Sequence, residues 1–535
     1  MKKFLAGLLT MALALSLAAC SSKEPASSGI PSGSPSPETS PAQPISDGTP
    51  VRGGTLKIGK GLTLSTLDPT KVTARDSDYD VLCQIYEPLI RADASGNLEP
   101  GLADSWDVVD DTTIVFYLRR DVKFHDGTAF NAEAVKANFA YFMDESVAAI
   151  FAAELACVDH VEAVDDYTVQ VKLTQPSSAF LTDLTNYSGL MISPEALKQG
   201  ADYLASHACG TGPFQVADYV EGVSIALTAN PVYYQTGADG KPLPYLEKVE
   251  ITMMTDQTTK VNSLMAGDID LTDYLATTGI ETLETASGFS LARITTSDIY
   301  CLFCNVEDGA LSNQKVRQAL AYGVDRDALA TAITRGYGFA SNWACDPEQW
   351  FYSAETPYRY DPEKAKALLA EAGYAGGLTL TMQCISREPD NTVMQVLQAQ
   401  LAEINVTLEL ESMERTEWVS IWTTEHTGQL GLAKMTIPRV DPYVQLNTNM
   451  GAGSANNYST YKGERFNELL NSLSSIYDTD QQKAALAEAQ EVYLEDCASI
   501  FLYQMPRYDA YSSKVQNFTT LALGPWDLSQ IWLAA

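Results

Sequence analysis

The stretch DPEKAKALLAEAGYAGGLTLTM, residues 361–382, contains the pattern that decides the fold class. Pro362 stands in the first turn of an apolar-periodic run and Gly373 stands just past its end, so these two residues delimit a helix over 362–372. The β-branched and apolar run over 378–382 then predicts a strand. Helices that alternate with strands in this way indicate sheets flanked by helices.

The same alternation extends over the rest of the chain and predicts a mixed α/β protein. Further strands are predicted at 55–58, 114–118, 168–173, 249–254, 299–304 and 406–410. Further helices are predicted at 132–143, 315–321 and 482–495. The length from residue 51 to residue 535 is enough for two or three domains, and no internal repeat is evident.

Two glycine motifs are predicted to be scaffold turns. Gly210-Thr-Gly-Pro-Phe214 predicts a tight turn whose glycines permit positive φ and whose proline fixes the exit. Gly267-Asp-Ile-Asp270 predicts the end of a helix followed by the start of a strand. Neither motif is expected to contact a ligand.

The first twenty residues have the organisation of a secretory signal. A basic start at residues 2–3 precedes an apolar run over 4–15, which is shorter than the roughly 20 residues that a bilayer-spanning helix needs. The run ends in Leu17-Ala-Ala-Cys20, which resembles the bacterial lipobox. Residues 1–19 are therefore predicted to be a signal peptide, and Cys20 is predicted to carry a diacylglyceryl group. The alternative is a plain secretory signal that happens to contain a cysteine.

Residues 20–50 are predicted to form a lipidated, disordered tether. Ser, Pro and Gly dominate this segment, and such a composition buries too little apolar surface to offset its ordering entropy. A flexible chain of this length spans about 30 Å on average. The folded body would therefore stand clear of the membrane, which it would reach through the lipid anchor only.

The charge balance excludes nucleic acid as a partner. The formal net charge is -33, whereas phosphate binding requires a basic surface. No stretch after the signal reaches transmembrane length without polar interruption. The charge does not identify the ligand, because a local site can oppose the global charge.

Eight cysteines remain when Cys20 is set aside: Cys83, Cys157, Cys209, Cys301, Cys304, Cys345, Cys384 and Cys497. An exported protein can form disulfides, but spacing does not give their connectivity. Cys301-Leu-Phe-Cys304 has metal or redox spacing. No second cysteine pair or histidine cluster accompanies it, so a buried strand is the favoured interpretation.

The sequence shows no catalytic set, metal site or cofactor motif. The four histidines are not at metal-ligand spacing: His125, His160, His207 and His426. Ser312-Asn-Gln-Lys315 matches S-x-x-K, but its position before a periodic run favours a helix N-cap. His125-Asp-Gly127 lies between a strand and a helix and favours a turn. An enzyme such as a cell-wall amidase or peptidase would need a nucleophile or metal cluster that is not found.

An ordered series of motifs covers nearly all of residues 51–535. The series is Gly53-Gly-Thr-Leu56, Leu67-Asp-Pro69, Tyr86-Glu-Pro-Leu-Ile90, Leu98-Glu-Pro-Gly-Leu-Ala-Asp-Ser-Trp106, Leu118-Arg-Arg-Asp-Val-Lys-Phe-His-Asp-Gly-Thr128, Gly210-Thr-Gly-Pro-Phe214, Asn230-Pro-Val-Tyr-Tyr234, Ala266-Gly-Asp-Ile-Asp270, Val316-Arg-Gln-Ala-Leu320 and Tyr360-Asp-Pro-Glu-Lys-Ala-Lys-Ala-Leu-Leu-Ala-Glu-Ala-Gly-Tyr374. In this order the motifs resemble the solute-binding proteins of peptide/nickel-type ABC importers, family 5.

The resemblance implies a two-lobed periplasmic-binding-protein-like α/β fold with an extra subdomain in the first lobe. Lobe I is expected at 51–85, 191–295 and 500–535, its subdomain at 86–190, and lobe II at 296–499. Because the chain leaves lobe I and returns to it, two crossings would form a hinge.

The resemblance also implies a function outside the cell. The protein would be a monomer on the extracellular face of the bacterial cytoplasmic membrane, capturing a peptide or peptide-like molecule and delivering it to an ABC permease. Two alternatives stay open: a sensory or adhesive surface protein that does not transport, and a binder of a non-peptide ligand such as a nickel chelate.

The candidate cleft departs from the pattern of peptide-binding relatives, whose acidic groups meet the ligand's α-ammonium. Oligopeptide-binding relatives have an acid at the position of Thr73, and Pro438 stands where the ammonium-binding aspartate would be. Arg75 and Arg439 lie close to these positions in sequence. An unpaired buried ammonium is costly, so ligands with a blocked or absent amino terminus, or with anionic groups, are favoured.

Six residues are predicted to contact the ligand: Thr73, Arg75, Tyr274, Trp418, Arg439 and Asp441. Core packing is the alternative for the two aromatic residues, and a turn cap is the alternative for the aspartate. For each arginine the alternative is a surface or lobe-to-lobe ion pair.

Overall fold

Strands and helices alternate along the chain. The computed structural model describes residues 48–93, 95–294, 296, 298–345, 347, 349–353, 356–435, 441–521 and 524–534. The predicted signal peptide, Cys20 and most of the predicted tether lie outside the described residues. No helix in the described ranges is long and apolar enough to cross a membrane.

The strands are β1 (Thr55–Lys60), β2 (Ile90–Ala92), β3 (Leu98–Pro100), β4 (Ala103–Asp110), β5 (Thr113–Leu118), β6 (Val158–Asp165), β7 (Thr168–Leu173), β8 (Phe214–Val220), β9 (Ser224–Ala229), β10 (Lys248–Met253), β11 (Leu271–Thr272), β12 (Phe289–Ile294), β13 (Ile299–Cys304), β14 (Phe339–Ala340), β15 (Leu378–Ile385), β16 (Val406–Met413), β17 (Leu430–Met435), β18 (Ser499–Gln504), β19 (Arg507–Ser512), β20 (Val515–Gln516) and β21 (Trp532–Leu533).

The α-helices are α1 (Arg75–Leu82), α2 (Ala132–Phe142), α3 (Ala179–Asp183), α4 (Pro194–Leu197), α5 (Ala201–Leu204), α6 (Gln257–Ala266), α7 (Thr277–Glu284), α8 (Gln314–Gly323), α9 (Arg326–Thr334), α10 (Pro362–Glu371), α11 (Asp390–Ala402), α12 (Arg415–Ser420), α13 (Pro442–Met450), α14 (Glu464–Leu473) and α15 (Thr479–Asp496). Short 3₁₀ turns lie at Ala152–Leu155, Tyr187–Gly189 and Gly309–Ser312, and a π-helical turn lies at Ile421–Glu425.

These elements confirm the predicted α/β class. Strands β7 and β13 have the predicted bounds, and the other strands predicted from the sequence are found with small shifts. Helix α10 begins at Pro362 as predicted, with Asp361 capping its first turn by accepting the amide of Lys364. Helix α15 starts before its predicted position because Asp478 accepts the amide of Gln481.

The first sheet has seven strands in the order β12-β19-β11-β1-β10-β9-β8. Strand β1 pairs in parallel with β10 and with β11, so the carboxyl ends of these three strands lie at one edge. Strand β19 comes from the end of the chain and pairs antiparallel with β12 and β11. The carboxyl-terminal segment therefore returns to the sheet that the chain formed first.

The second sheet has six strands in the order β14-β18-β13-β17-β15-β16. Strand β15 pairs in parallel with β16 and β17, and β13 pairs antiparallel with β17 and β18. The start of β13 and the ends of β15, β17 and β18 consequently share one edge. Helix α11 begins just beyond that edge, after β15.

Two neighbouring chain segments connect the sheets. Residue 294 at the end of β12 pairs with Arg507 at the start of β19, and residue 299 at the start of β13 pairs with Gln504 at the end of β18. The connecting segments, residues 295–298 and 505–506, therefore start and end at paired strand ends. We call them the hinge segments.

The second hinge segment corrects one predicted boundary. The sequence assigns residues from 500 onward to lobe I, but β18 (Ser499–Gln504) is a fully buried strand of the second sheet between β13 and β14. Its apolar run satisfies its backbone hydrogen bonds there, so lobe I resumes only at Arg507.

A separate antiparallel sheet, β4-β5-β7-β6, lies within residues 86–190, the segment predicted to be a subdomain. The ends of this segment are held together, because Pro88 bridges to Leu190 and the amide of Met191 donates to Glu87. The segment shares one apolar core with the first sheet, in which Phe116 and Phe139 belong to the same cluster as Leu56. The second sheet has its own apolar core, built around Phe303, Leu320 and Tyr493.

The two glycine motifs differ in the reason for their glycines. Gly267 adopts φ +79° at the end of α6, as predicted. Gly210 and Gly212 do not adopt positive φ, so the predicted reason for these glycines is wrong. A Cβ at Gly210 would lie 2.2 Å from the carbonyl oxygen of Ile85, and one at Gly212 would lie 2.6 Å from that of Gln84. Close backbone approach, rather than turn geometry, requires these glycines.

Candidate functional site

The candidate site on lobe I begins with Arg75, the first residue of α1. Its Nη2 donates to Glu154 Oε1 at 2.9 Å, with the arginine side chain 30% exposed and the glutamate side chain 2% exposed. The guanidinium carbon lies 5.5 Å from the centroid of the Tyr187 ring, whose hydroxyl donates to the Arg75 carbonyl. Arg75 therefore forms an ion pair, which is the alternative to ligand binding that the sequence offers for it. The partner lies within the first lobe. An anionic ligand would compete with Glu154.

Thr73 lies exposed just before α1, with its hydroxyl oxygen 3.2 Å from that of Ser65. No charge stands at this position. One nearby acid is Asp78, which is fully buried and accepts the backbone amide of Ala74 at 3.2 Å. Burial raises the pKa of Asp78 to about 6. Sequence reasoning missed Asp78, because only the helical geometry of α1 turns it back toward residues 73–74.

Tyr274 lies beyond the end of β11 with a positive φ of 44°. Its backbone N–H donates to Asp509 Oδ1 at 3.1 Å. The guanidinium carbon of Arg507 lies 4.3 Å from the centroid of its ring, within the range of a cation–π contact. The ring is half-buried.

A recess opens on lobe I beside these residues. Arg75 and Arg507 line it together with the rings of Tyr79, Tyr187 and Trp526. Its walls therefore combine two kinds of group: arginines that already contact carboxylates, and the faces of aromatic rings. Sequence reasoning had found Arg75 alone among these five, since the others come from distant segments with no motif of their own.

Trp418, predicted to line the cleft, is 2% exposed in the apolar core of lobe II. Its ring stacks on Trp422 with centroids 5.9 Å apart and meets Tyr458 edge-on at 5.0 Å. Its Nε1 has no hydrogen-bond partner among the described residues. These contacts are those of a core residue, the alternative given for Trp418.

Asp441 caps helix α13. Its Oδ1 accepts the backbone amide of Val444 at 2.8 Å, and the residue is 2% exposed. The cap is the alternative role that the sequence offers for this residue. Arg439 and Pro438 lie outside the described residues, so the altered second segment of the cleft stays a prediction.

Further polar groups lie at the hinge-side edge of the second sheet. Tyr300 and Tyr503 stack with ring centroids 4.6 Å apart. Asp390, at the start of α11, is buried and accepts from Arg387 Nε with Oδ2 only. Within the described ranges no well-formed hydrogen bond reaches its Oδ1, the hydroxyl of Tyr503 or Oε1 of Gln504, and Tyr300 lies close enough to interact with both Asp390 and Tyr503. We call Asp390, Tyr503 and Gln504 the second-sheet polar edge.

The sequence does not single out these three residues. Each belongs to a run that is typical of an ordinary helix or strand, and only the strand register brings them to one edge.

Of the six predicted residues, three lie on lobe I, two lie buried in lobe II, and one lies outside the described residues.

The described residues do not assemble a metal centre. Groups of three or more histidine, cysteine, aspartate or glutamate side chains that could hold a metal are absent from them. Burial lowers the pKa of His125 to about 4, and its Nε2 lies 3.0 Å from the Gly212 carbonyl, so the ring is neutral and structural. The eight described cysteines are free thiols, and Cys301 and Cys304 are fully buried on β13, which confirms the predicted strand.

Comparisons with known proteins identify the family. The family model for bacterial extracellular solute-binding proteins, family 5 middle, matches residues 97–457, more than half of the chain. The glutathione-binding protein GsiB of Pectobacterium atrosepticum is 32% identical over 361 residues, which cover 67% of this chain and 69% of that protein.

Solved structures share the fold over nearly the whole length. HbpA2 from Haemophilus parasuis has a TM-score of 0.83 and 27% identity, covering 90% of this chain and 100% of that chain. DppA from Helicobacter pylori, in complex with the peptide STSA, has a TM-score of 0.70 and 26% identity, covering 91% of this chain and 99% of that chain. The two sheets are thus the two lobes of a periplasmic-binding-protein fold. The chain belongs to family 5 of the bacterial extracellular solute-binding proteins, which bind peptides or similar ligands for ABC importers.

Proposed function

We propose that this protein is the lipid-anchored, extracellular solute-binding component of an ABC importer, and that it closes its two lobes on a peptide or peptide-like ligand. The observation that carries the proposal is the pair of hinge segments, residues 295–298 and 505–506, which join two sheets with separate apolar cores. Two adjacent connections allow one lobe to rotate on the other without unfolding either core. The protein would then deliver the ligand to a membrane permease as a monomer.

The relatives support a peptide-like ligand. One binds glutathione, which is itself a tripeptide, and another was solved with the peptide STSA. The chain's own residues support a binding mode in which the ligand amino terminus is not held by a cleft acid. Thr73 is uncharged. The carboxylate of Asp78 is buried, and it contacts the backbone of the segment that contains Thr73.

The two arginines give the ligand a second expected feature. Arg75 is partly exposed, and among the described side chains it pairs with Glu154. An anionic group of the ligand could displace Glu154 or share the guanidinium with it, because an arginine has five donors. We therefore expect ligands with a blocked or absent amino terminus, or with anionic groups, contacting Thr73, Arg75, Tyr274 and Arg439.

Mass spectrometry of the small molecules released from the purified full chain tests the ligand class. We expect a peptide or peptide-like molecule, retained by the wild type and reduced in Arg75→Ala. Arg120→Ala is the matched control, since this arginine lies over the ring of Tyr167, a residue of the subdomain hairpin, and should retain the ligand unchanged. Release of a nickel chelate would contradict the peptide assignment, as would binding of neither peptides nor chelates in calorimetry.

Labelling with radioactive palmitate tests the anchor. Cys20→Ala should lose both the label and partition into detergent, because two or more acyl chains are needed for durable attachment. Cys157→Ala, which removes a partly exposed free thiol, should keep both. Labelling that persists in Cys20→Ala would contradict the lipoprotein assignment.

A further inference from the structure

Six charged side chains are buried together in lobe I: Lys60, Asp80, Lys260, Asp273, Arg507 and Asp509. Three are cations and three are anions. Each is less than 9% exposed, the first four and Asp509 being fully buried. We call these six residues the charge cluster.

Short contacts connect the charge cluster through its two central cations. Lys60 Nζ lies 2.9 Å from Asp80 Oδ2 and 3.2 Å from Asp273 Oδ2. Lys260 Nζ donates to the backbone oxygen of Asp273 at 2.5 Å and lies 3.4 Å from its Oδ1. Burial acts to lower the pKa of Lys60, but Asp80 and Asp273 raise it above its usual value, so the lysine stays charged.

Arg507 completes the cluster from the other side. Its Nε and Nη2 each donate to Asp509 at 2.8 Å, which is a bidentate pair, and its Nη1 donates to Asp80 Oδ1 at 3.2 Å. All three guanidinium nitrogens are therefore committed to carboxylates within the lobe. Although Arg507 lines the recess, it has little capacity left for a ligand anion.

The position of Arg507 in the chain determines which elements these contacts connect. It is the first residue of β19, directly after the second hinge segment. Through Asp80 it holds α1, the helix that begins with Arg75. Its guanidinium also lies between two rings, 4.3 Å from the centroid of Tyr274 and 5.5 Å from that of Trp526.

Tyr274 depends on the same strand for its backbone conformation. A positive φ is unfavourable for a tyrosine and persists only where the surroundings determine it. Here the Tyr274 amide donates to Asp509, and the next amide, of Leu275, donates to the Tyr508 carbonyl at 2.8 Å. The ring of Tyr274 then covers Arg507.

We propose that Arg507 is a positioning residue of the ligand site, which fixes Tyr274 and α1 against the hinge end of β19 so that the lobe I half of the site is preformed. This inference rests on the proposed function, because it assigns Tyr274 and Arg75 to the ligand site. Buried ion pairs contribute little net stability compared with apolar packing. Positioning is therefore the effect that distinguishes this cluster from an ordinary core.

Hydrogen exchange of the full chain, without ligand, tests the inference. Arg507→Met should speed exchange of the amides at 274 and 275 by about tenfold, because their hydrogen-bond acceptors on β19 lose the residue that holds them. Arg507→Lys, which keeps the charge but loses the bidentate pair, should give an intermediate rate. The helix 75–82 should respond in the same order.

Arg317→Met is the matched control. Arg317 is as buried as Arg507, at 6% against 7% exposed, but it donates to carbonyl groups of lobe II such as those of Leu311 and Asp496. It should destabilise the protein without changing exchange at 274 and 275 selectively. Equal acceleration in Arg317→Met, or none in either Arg507 variant, would overturn the proposal.

The lysine variant keeps the test decisive if the methionine variant does not fold. The experiment needs no ligand, so its result is independent of the proposed function. A chain that binds no peptide would contradict the proposed function and leave the exchange result standing.

Discussion

The charge cluster of lobe I and the polar edge of the second sheet lie on opposite sides of the hinge segments, and they differ in how their buried polar atoms are paired. In the cluster, each of the six charged groups contacts an opposite charge. At the polar edge, Oδ1 of Asp390, the Tyr503 hydroxyl and Oε1 of Gln504 make no well-formed hydrogen bond within the described residues.

Buried polar groups normally have hydrogen-bond partners, and each exception calls for an explanation. A complete network fixes side chains in one arrangement, whereas unpaired acceptors leave room for new donors. The difference indicates that the charge cluster is held in one arrangement, whereas the second-sheet polar edge still has capacity for new hydrogen bonds. The predictions below test this contrast between the two edges.

The largest expected effect is on stability. Asp80→Ala removes the carboxylate between Lys60 and Arg507 and leaves two buried cations without it. We expect a loss of about 3–5 kcal/mol in the free energy of unfolding, measured by denaturant titration. Asp390→Ala is the counterpart in lobe II, where the partner Arg387 is 43% exposed, and it should cost about 1 kcal/mol or less. Equal losses would remove the contrast.

A second prediction concerns pH. The pKa of Asp78 is raised to about 6 by burial, so between about pH 4 and pH 6 the folded state binds more protons at this site than the unfolded state does. The contribution of Asp78 therefore stabilises the fold at low pH and is lost as the pH rises through 6, by roughly 2–3 kcal/mol. Asp78→Asn should lack this component when unfolding is compared with the wild type at each pH.

Asp110 provides the control of opposite sign. Hydrogen bonds from the Thr112 amide and the Thr113 hydroxyl lower the pKa of this exposed carboxyl to about 2. Its stabilising contribution is present above pH 4 and is lost as the pH falls toward 2, so Asp110→Asn should change the acid limb only. If the difference in unfolding free energy between the wild type and Asp78→Asn does not vary with pH, the raised pKa assigned to Asp78 is contradicted.

The smallest expected effect compares two hydroxyl groups. Tyr79→Phe removes a donor to the Thr185 carbonyl at 3.0 Å and should cost about 1 kcal/mol. Tyr503→Phe removes a hydroxyl that makes no well-formed hydrogen bond in the described part of the chain, so the stability of the protein should change by less than about 0.5 kcal/mol. If lobe II meets the ligand through this edge, Tyr503→Phe should instead weaken binding of the ligand that co-purifies, measured by calorimetry.

Much of the fold could be predicted from the sequence because it depends on local patterns. Helix α10 is bounded by Pro362 and Gly373, and strand β13 by its apolar run. The second hinge segment was placed too early because the apolar run before Arg507 does not reveal which sheet it joins. Strand pairing is a long-range property, and local propensity does not encode it.

The site could be predicted only in part for a related reason. Thr73 and Arg75 follow a recognisable motif, and Arg75 lines the lobe I recess. Arg507 and Trp526 come from a segment without a motif and reach the site through the return of the chain. Trp418 shows the converse. The sequence motif places it near the cleft, but an aromatic residue near such a motif can equally belong to the apolar core.

Small-angle X-ray scattering tests the central claim most directly. The radius of gyration of the full chain, freed of ligand by partial unfolding and refolding, should fall when the ligand identified by mass spectrometry is added, because the lobes rotate about residues 295–298 and 505–506. The change should saturate with the same concentration dependence as the calorimetric signal. A radius of gyration that stays constant while the calorimetric signal saturates would contradict closure of two lobes on the ligand.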